Sequence, residues 1–471
     1  MSGVFCSEAG RLPDGEPTSL CHHTDKTEKG WNMLETVQSL RWMPLTPAQF
    51  DFWEEFTFHP HQPVSTVAHC ITLRGELDEQ ALLAALQQVT VETDVFAIQF
   101  QLPDREALPL QRCNPQRCPQ VRLIELQQAD VATLMMQADI EGQLNLLSQP
   151  LAAVWLFRFS PGHYTVYIRA HHIIIDGFGM ALIEHRLAEL YRTLRQKTVA
   201  SQPFGAFYAF LAEEQQYADS EKSRQDAEYW RRYVTDGPSL PVLQKGGEDY
   251  GAECLHSEAM LPIHFSQQLS AFAEYCGIGW PDLLLALSAA WLTFQLYGED
   301  CAEVHPIWVP VMNRRGKVAA CVPALAVNIL PLFIQIEPQE RVADYVKRIA
   351  KTLRDLRAHG RYRIETLATD QGLGKGTRYF FSPLINVLPF DPPQFAGCAV
   401  EREVMASGPG DGFNITWRGR TDASELHIDI DADPEIYAGQ DVEEMFIHLD
   451  NFLRRAMMHE GQQPVYPLLN P

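Results

Sequence analysis

The sequence predicts an α/β protein made of two halves, each a mixed sheet with covering helices. Three observations predict it. The chain has 471 residues, more than one hydrophobic core usually serves. Stretches of period-two alternation sit beside stretches of helical periodicity in both halves. A charged, aromatic segment at residues 201–237 lies between them and reads as a helical bridge. The expected division is a flexible extension over residues 1–40, an N-terminal half over 41–205 and a C-terminal half over 206–471.

The elements follow in chain order. Residues 1–40 are polar and rich in Gly, Pro and Ser. Cys21, His22 and His23 stand there without further ligands close by, so disorder is expected rather than a metal site. Thr46 followed by Pro47 reads as a helix cap with proline in the first turn, leading into Phe50, Phe52 and Trp53. A strand is expected at 67–73. Asp78 opens a helix that carries Leu82, Leu83, Leu86 and Val89 on one face. Residues 95–101 alternate like another strand. Strands at 151–159 and 163–170 flank Ser160, Pro161 and Gly162, a hairpin turn. A helix over 180–194 then shows Leu182, Ile183, Leu187, Leu190, Tyr191 and Leu194 at helical spacing. In the second half, Pro281 and Asp282 start an apolar helix that runs to Tyr297. Strands are expected at 307–311, 326–336 and 384–389, and a basic helix at 347–357.

Composition narrows the function classes. The formal net charge of −22 argues against a nucleic-acid surface, which needs a basic face. It suits a cationic small substrate, and solubility explains it as well. The longest apolar stretch, 283–297, is broken by Ser288, Thr293 and Gln295 and falls short of the ~20 residues a membrane span needs. The first ten residues lack a basic region followed by an apolar core, so a cytoplasmic protein is expected. The 10 cysteines show no metal-like pair of pairs; Cys113 and Cys118 have no second pair nearby, and reduced thiols are expected.

The most informative stretch is His171-His172-Ile173-Ile174-Ile175-Asp176-Gly177, directly after the strand at 163–170. Neighbouring residues of an extended segment point to opposite sides. At most one of the two histidines can therefore face a given cavity, while the other serves packing or a hydrogen bond. Asp176 is a candidate to orient His172, as the carboxylate does in a Ser-His-Asp triad. Gly177 suits a sharp exit from the loop because glycine tolerates positive φ.

Four segments together resemble the condensation domains of nonribosomal peptide synthetases. They are Leu45-Thr46-Pro47-Ala48-Gln49 with Trp53; His171 to Gly177; Met312-Asn313-Arg314-Arg315-Gly316; and Asn328-Ile329-Leu330-Pro331 with Asn386-Val387-Leu388-Pro389. The resemblance spans residues 44–460. Residues 169–173, 278–282, 359–364 and 370–373 are similar to the free-standing amide-synthase type of vibriobactin (catechol siderophore) assembly. The polar extension before residue 40 departs from that pattern.

The resemblance implies two chloramphenicol-acetyltransferase-like lobes in a V with a channel between them. It implies an acyl group, 2,3-dihydroxybenzoyl, delivered on the phosphopantetheine arm of a separate aryl carrier protein. The acceptor would be a primary amine of a small polyamine, with no intrinsic cofactor and no metal. His172 and Asn386 are the implied catalytic residues, Asn386 as a donor to the oxyanion or a holder of the acceptor. His171, Asp176, Gly177 and Arg314 are implied as structural, with Asp176 paired to Arg314 (Arg315 as the fallback).

The chemistry constrains what His172 could do. A primary amine with a pKa near ~10.4 leaves about one molecule in two thousand neutral at pH 7. An imidazole near ~6.5 is a poor base for that ammonium but a good acceptor once nitrogen has begun to bond to the carbonyl. Late general base and positioner of the tetrahedral intermediate both fit.

Other features carry less. Residues 408–412, Gly-Pro-Gly-Asp-Gly, precede 413–417 and read as a loop and strand that cross from the second lobe to the first. Lys347, Arg348, Lys351, Arg354 and Arg357 share one helix and form either a carrier-docking face or a solvated one. Residues 372–377 hint at a phosphate loop, but Lys375 is followed by Gly376 rather than Ser or Thr, which excludes that reading. No carrier attachment serine and no adenylation signature are visible, so the acyl group has to arrive on a partner. Two rivals remain: an acyl-coenzyme A-dependent acyltransferase of the same fold, and a non-catalytic recruitment module.

Overall fold

Thr46 begins the first helix, α1 (Pro47–Phe58), through a reciprocal cap. Its hydroxyl accepts from the Gln49 amide, and the Gln49 side chain accepts from the Thr46 amide. Two otherwise unpaired donors are thereby satisfied. The computed structural model describes residues 41–59, 65–104, 107–245, 255–408, 412–434 and 437–469. The expectations for residues 1–40, and for the middle of the 408–412 loop, lie outside the described residues.

The first sheet grows from β1 (Thr66–Gly75), α2 (Glu79–Glu92), β2 (Val121–Glu125), β3 (Ala152–Ser160) and β4 (His163–His171), followed by α3 (Gly177–Gln196). Val166, Ile168 and Ala170 alternate along β4 into a core shared with Leu82, Leu86, Ile183 and Leu187. On the opposite face, Tyr167 packs with Trp155, Phe157 and Met136. The stretch 95–101 is only half strand. Asp94–Ala97 is a 3-10 turn, and extended chain begins at Ile98. Val95, Phe96 and Ala97 are all buried, and a chain of period two cannot turn three consecutive residues inward.

The second sheet is built from β5 (Leu255–Met260), β6 (His305–Val311), β7 (Asn328–Ile334), β8 (Leu384–Pro389), β10 (Phe413–Gly419) and β11 (His427–Ala432). Between β8 and β10 runs β9 (Cys398–Ser407), which belongs elsewhere. The order is β7-β6-β8-β10-β11-β5, with β8 parallel to both neighbours and the other pairs antiparallel. The apolar helix α4 (Trp280–Tyr297) is the centre of this second core; Leu283, Leu284, Leu287 and Leu292 are fully buried. Each contributes ~1.5–3 kcal/mol by leaving water. Burial in a protein core thus accounts for the apolar run, and no single helix among the described residues is long and apolar enough to cross a membrane. The basic helix is α5 (Val342–Ala358), and α6 (Ile364–Asp370) follows it.

β9 leaves the second half and completes the first sheet, in the order β9-β1-β4-β3-β2. It pairs antiparallel with β1, from Cys398 opposite Gly75 to Ser407 opposite Val67. A buried cluster pins it: Arg402 of β9 bonds Glu184 of α3 at 2.7 Å, and Glu184 bonds His69 of β1 at 2.7 Å. This corrects the expectation for residues 413–417. That segment lies inside the second sheet, and the crossing strand is the one before it. A strand with both edges paired in its own sheet, as β10 has, leaves no free edge to span two lobes.

Candidate active site

β4 ends at His171, and the backbone turns through residues 172–175 before Asp176 caps α3. The turn buries Ile173, Ile174 and Ile175 completely and leaves the two histidines in different surroundings. His171 is buried, and its Nδ1 accepts from the Ile173 amide at 3.1 Å. Burial, with the neighbouring His172 and Arg169, lowers it to about 3, so the ring stays neutral.

His172 is half-buried. Its backbone amide donates to the Ser65 carbonyl at 2.6 Å. Its ring stacks on Phe52 of α1 at 4.9 Å and 17°. On another side lies the backbone of Gly408, whose φ is +92°; a Cβ there would come within 2.5 Å of the His172 Cδ2. Nδ1 is sealed and makes no hydrogen bond among the described residues, which leaves Nε2 as the nitrogen an incoming molecule can reach. Desolvation holds the ring below its ordinary 6.5, partly offset by the carbonyls of His172 and Ile175 and by the Asp176 charge. The ring keeps some accessible surface, but the atoms crowded around it displace most of its water.

Asp176 does not orient His172. Its Oδ1 accepts from Arg314 at 2.7 Å and from the Gly179 amide at 2.8 Å. Its Oδ2 accepts from the amides of Ala326 and Val327, both at 2.9 Å. Four donors use up the carboxylate's acceptor sites. Burial alone would raise its pKa, but Arg314 and the amides outweigh that and hold it low. Arg314 in turn donates to the carbonyls of Ala319, Val322 and Ala324 at 2.7–2.8 Å and lies over the Phe178 ring. Arg315 is exposed and is not the partner.

Gly177 differs from expectation. It is the first residue of α3 and is not among the glycines with positive φ; a Cβ there would meet nothing within 4 Å. The sharp exit is made by Asp176 and its capping bond instead.

Asn386 sits on β8 in the second lobe, facing away from Ile385 and Val387, which enter the core. Its side-chain amide makes no hydrogen bond to another described residue. The end of β8 approaches the Asp176 corner, where Phe390 meets Phe178 edge-on at 5.5 Å. No direct bond joins Asn386 to His172.

Several site-forming contacts escaped sequence reasoning. Phe52 lies between Gln49 and Trp53 on α1, yet its stacking on His172 is a long-range contact with no local signal. The segment 326–328, bonded to Asp176 on one side, is held on the other by Arg363, which donates to the carbonyls of Ala326 and Val327. Asn328 clamps the carbonyls of Gly360 and Tyr362 at 2.9 Å. The segments at 171–177, 312–316 and 326–328 thus form one hydrogen-bonded unit.

Most of the charge of the basic helix is engaged, whereas Arg354 is exposed and has no ion pair among the described residues. Arg348 pairs with Glu340, Lys351 with Asp355 and Arg357 with Asp282, and Lys347 lies over the Tyr275 ring. The seven described cysteines are free thiols. His256, Glu258 and Asp429 bring ligand atoms within 4.8 Å of one another, but Arg418 already occupies Asp429, and His256 is bonded to Asp431.

Comparison with known proteins assigns the arrangement. Residues 40–466 match the Condensation domain family. The solved structure of VibH, an NRPS condensation enzyme, superposes with a TM-score of 0.79 at 33% identity, covering 89% of this chain and 99% of that one. A dimodular nonribosomal peptide synthase of Bacillus subtilis (strain 168) is 30% identical over 404 residues, 84% of this chain. Vanchrobactin synthetase VabF of Vibrio anguillarum is 26% identical over 452 residues, 92% of this chain. The chain spans 17% and 15% of the lengths of those two relatives. The mixed α/β lobes are those of the chloramphenicol-acetyltransferase-like two-lobe fold that its structural neighbours share. The chain belongs to the condensation-domain family of nonribosomal peptide synthesis, amide-forming acyltransferases that work on carrier-bound substrates and need no cofactor of their own.

Proposed function

We propose that this chain is a stand-alone amide synthase of siderophore assembly. It transfers an aryl acyl group, 2,3-dihydroxybenzoyl, from the phosphopantetheine thioester of an aryl carrier protein to a primary amine of a small polyamine. The observation that carries this reading is the reciprocal match to VibH, which covers nearly all of that chain and most of this one. The intact His171–Gly177 segment supports a catalytic module over a recruitment module. The division near residue 205 then separates a lobe that carries the histidine from a lobe that carries Asn386.

In this reading the amine nitrogen attacks the thioester carbon, forming the C–N bond. Asn386 donates to the developing oxyanion. Nitrogen becomes acidic as it bonds, and His172 Nε2 takes its proton. The C–S bond then breaks, the amide is released, and the departing thiolate receives that proton. Asp176 and Arg314 hold the lobes in register. The open space beside Gly177 leaves room for the acyl arm.

Desolvation lowers the His172 pKa, so the neutral ring persists below pH 6.5. After correction for the free-amine fraction, kcat/KM is expected to fall on the acid side with a midpoint below 6.5. An acid limb without any inflection below 6.5 contradicts the assignment.

The test of function mixes purified protein, 2,3-dihydroxybenzoyl-loaded aryl carrier and norspermidine or spermidine, with the amide detected by mass spectrometry. Amide formation that depends on the loaded carrier is expected. Equal turnover with free aryl-coenzyme A would replace the reading by the coenzyme A-dependent one. No product with either donor would favour the recruitment module.

A further inference from the structure

Helix α1 reaches His172 twice from one face. Phe52 and Glu55 are three residues apart and so lie side by side on the helix. Phe52 stacks on the His172 ring. Glu55, only 2% exposed, accepts a hydrogen bond from the Ser65 hydroxyl at 2.9 Å. Ser65, 3% exposed, gives its own carbonyl to the His172 amide at 2.6 Å. Carboxylate, serine and histidine backbone thus form one buried chain.

The surroundings leave Glu55 weakly paired. Arg378 stands 3.9 Å away. Its neighbours on α1, Asp51 and Glu54, are both bonded to the buried Lys245. The imidazole itself has no hydrogen bond at Nδ1 among the described residues. Its direction is set by the stack on Phe52, by the carbonyls of His172 and Ile175 beside it and by the backbone from which it projects.

We propose that Glu55 is a positioning residue for His172, acting through Ser65 to fix the peptide that carries the imidazole. The inference rests on the proposed role of His172 in amide formation. A carboxylate can only accept, so the Ser65 hydroxyl has to donate to it. A protonated carboxyl can donate instead and release that hydroxyl. Burial raises the Glu55 carboxyl to about 7, against the opposing pull of Arg378, with Asp51 adding to the rise and Ser65 and Lys245 opposing it. The anchor therefore tightens as pH rises through neutrality. The raised value has the opposite sign for stability: Glu55 favours the folded state below its unfolded pKa and loses that contribution as pH passes about 7. Glu55→Gln is neutral and isosteric, so it is expected to fold, with its Tm gaining on wild type between pH 5 and pH 8.

The experiment follows the His172 ring-proton resonance of the full chain by NMR, assigned through its loss in His172→Ala. Wild type is expected to show an inflection near pH 7 in addition to the ring's own titration at lower pH. Glu55→Gln and Ser65→Ala are each expected to abolish that inflection. Each is also expected to lower kcat about three- to tenfold at pH 8, with KM for the loaded carrier unchanged. An inflection that survives in Glu55→Gln, or an unchanged kcat, overturns the inference. Full turnover by His172→Ala would instead remove the proposed role of that histidine, and the resonance would still report on the link.

Discussion

Asp176→Ala is expected to lower the free energy of unfolding by ~3–5 kcal/mol, the range for removing one partner of a buried ion pair. The carboxylate is 2% exposed and accepts from Arg314, Gly179, Ala326 and Val327. Its removal leaves a buried guanidinium and three amides without their acceptor. It also unfastens residues 324–328 of the second lobe from the cap of α3 in the first. Activity is expected to fall with stability, because that cap begins one residue after the turn that carries His172. Urea denaturation measures the first effect. A loss below ~1 kcal/mol would show that the pair is dispensable. Arg314→Lys is expected to recover little, since one ammonium cannot serve three carbonyls and a carboxylate from a planar fork.

The second large effect concerns rate rather than stability. His172→Ala is expected to lower kcat/KM for amide formation by ~10²–10⁴-fold, the span usual for loss of a general base. Unfolding should barely change, since the ring is half-buried and its Nδ1 holds no bond among the described residues. Gly408→Val is expected to approach the same rate loss by a different route. Any Cβ there enters the space of the His172 Cδ2, and the φ of +92° is one that a branched residue resists. The displaced ring would lose its stack on Phe52. Steady-state rates with loaded carrier, beside thermal unfolding, separate the two causes. Turnover within tenfold of wild type in both variants would remove His172 from the mechanism.

Much of this arrangement was legible in the residues. The cap at Thr46, the strands about Gly162, the apolar helix after Pro281 and the pairing of Asp176 with Arg314 all follow from local chemistry or from the resemblance. What stayed hidden was long-range. Nothing near Phe52 announces that it stacks on a histidine 120 positions later. The strand Cys398–Ser407 carries three charged residues in a row, Glu401, Arg402 and Glu403, a weak signal for a strand, and only its register against Thr66–Gly75 reveals that it crosses between lobes. Residues 95–97 misled because they were read with Ile98–Gln101: the alternation belongs to that following strand, whereas Val95, Phe96 and Ala97 are consecutive apolar residues that the core takes together. Gly177 misled because a glycine beside an Asp suggests a left-handed corner, whereas the helix simply begins there.

The crossing strand has a consequence for how this chain can be divided. A fragment ending near residue 205 would keep β1 but lose β9, baring a row of amides and carbonyls along its outer flank. Such an unpaired border recruits any strand that meets it, including another copy of itself. The N-terminal half is therefore expected to clump when made alone, and to be rescued by supplying the second half in trans. The two lobes are one folding partnership, sealed only when residues some 330 positions apart have found each other, and closure of that seam is expected to come late in folding.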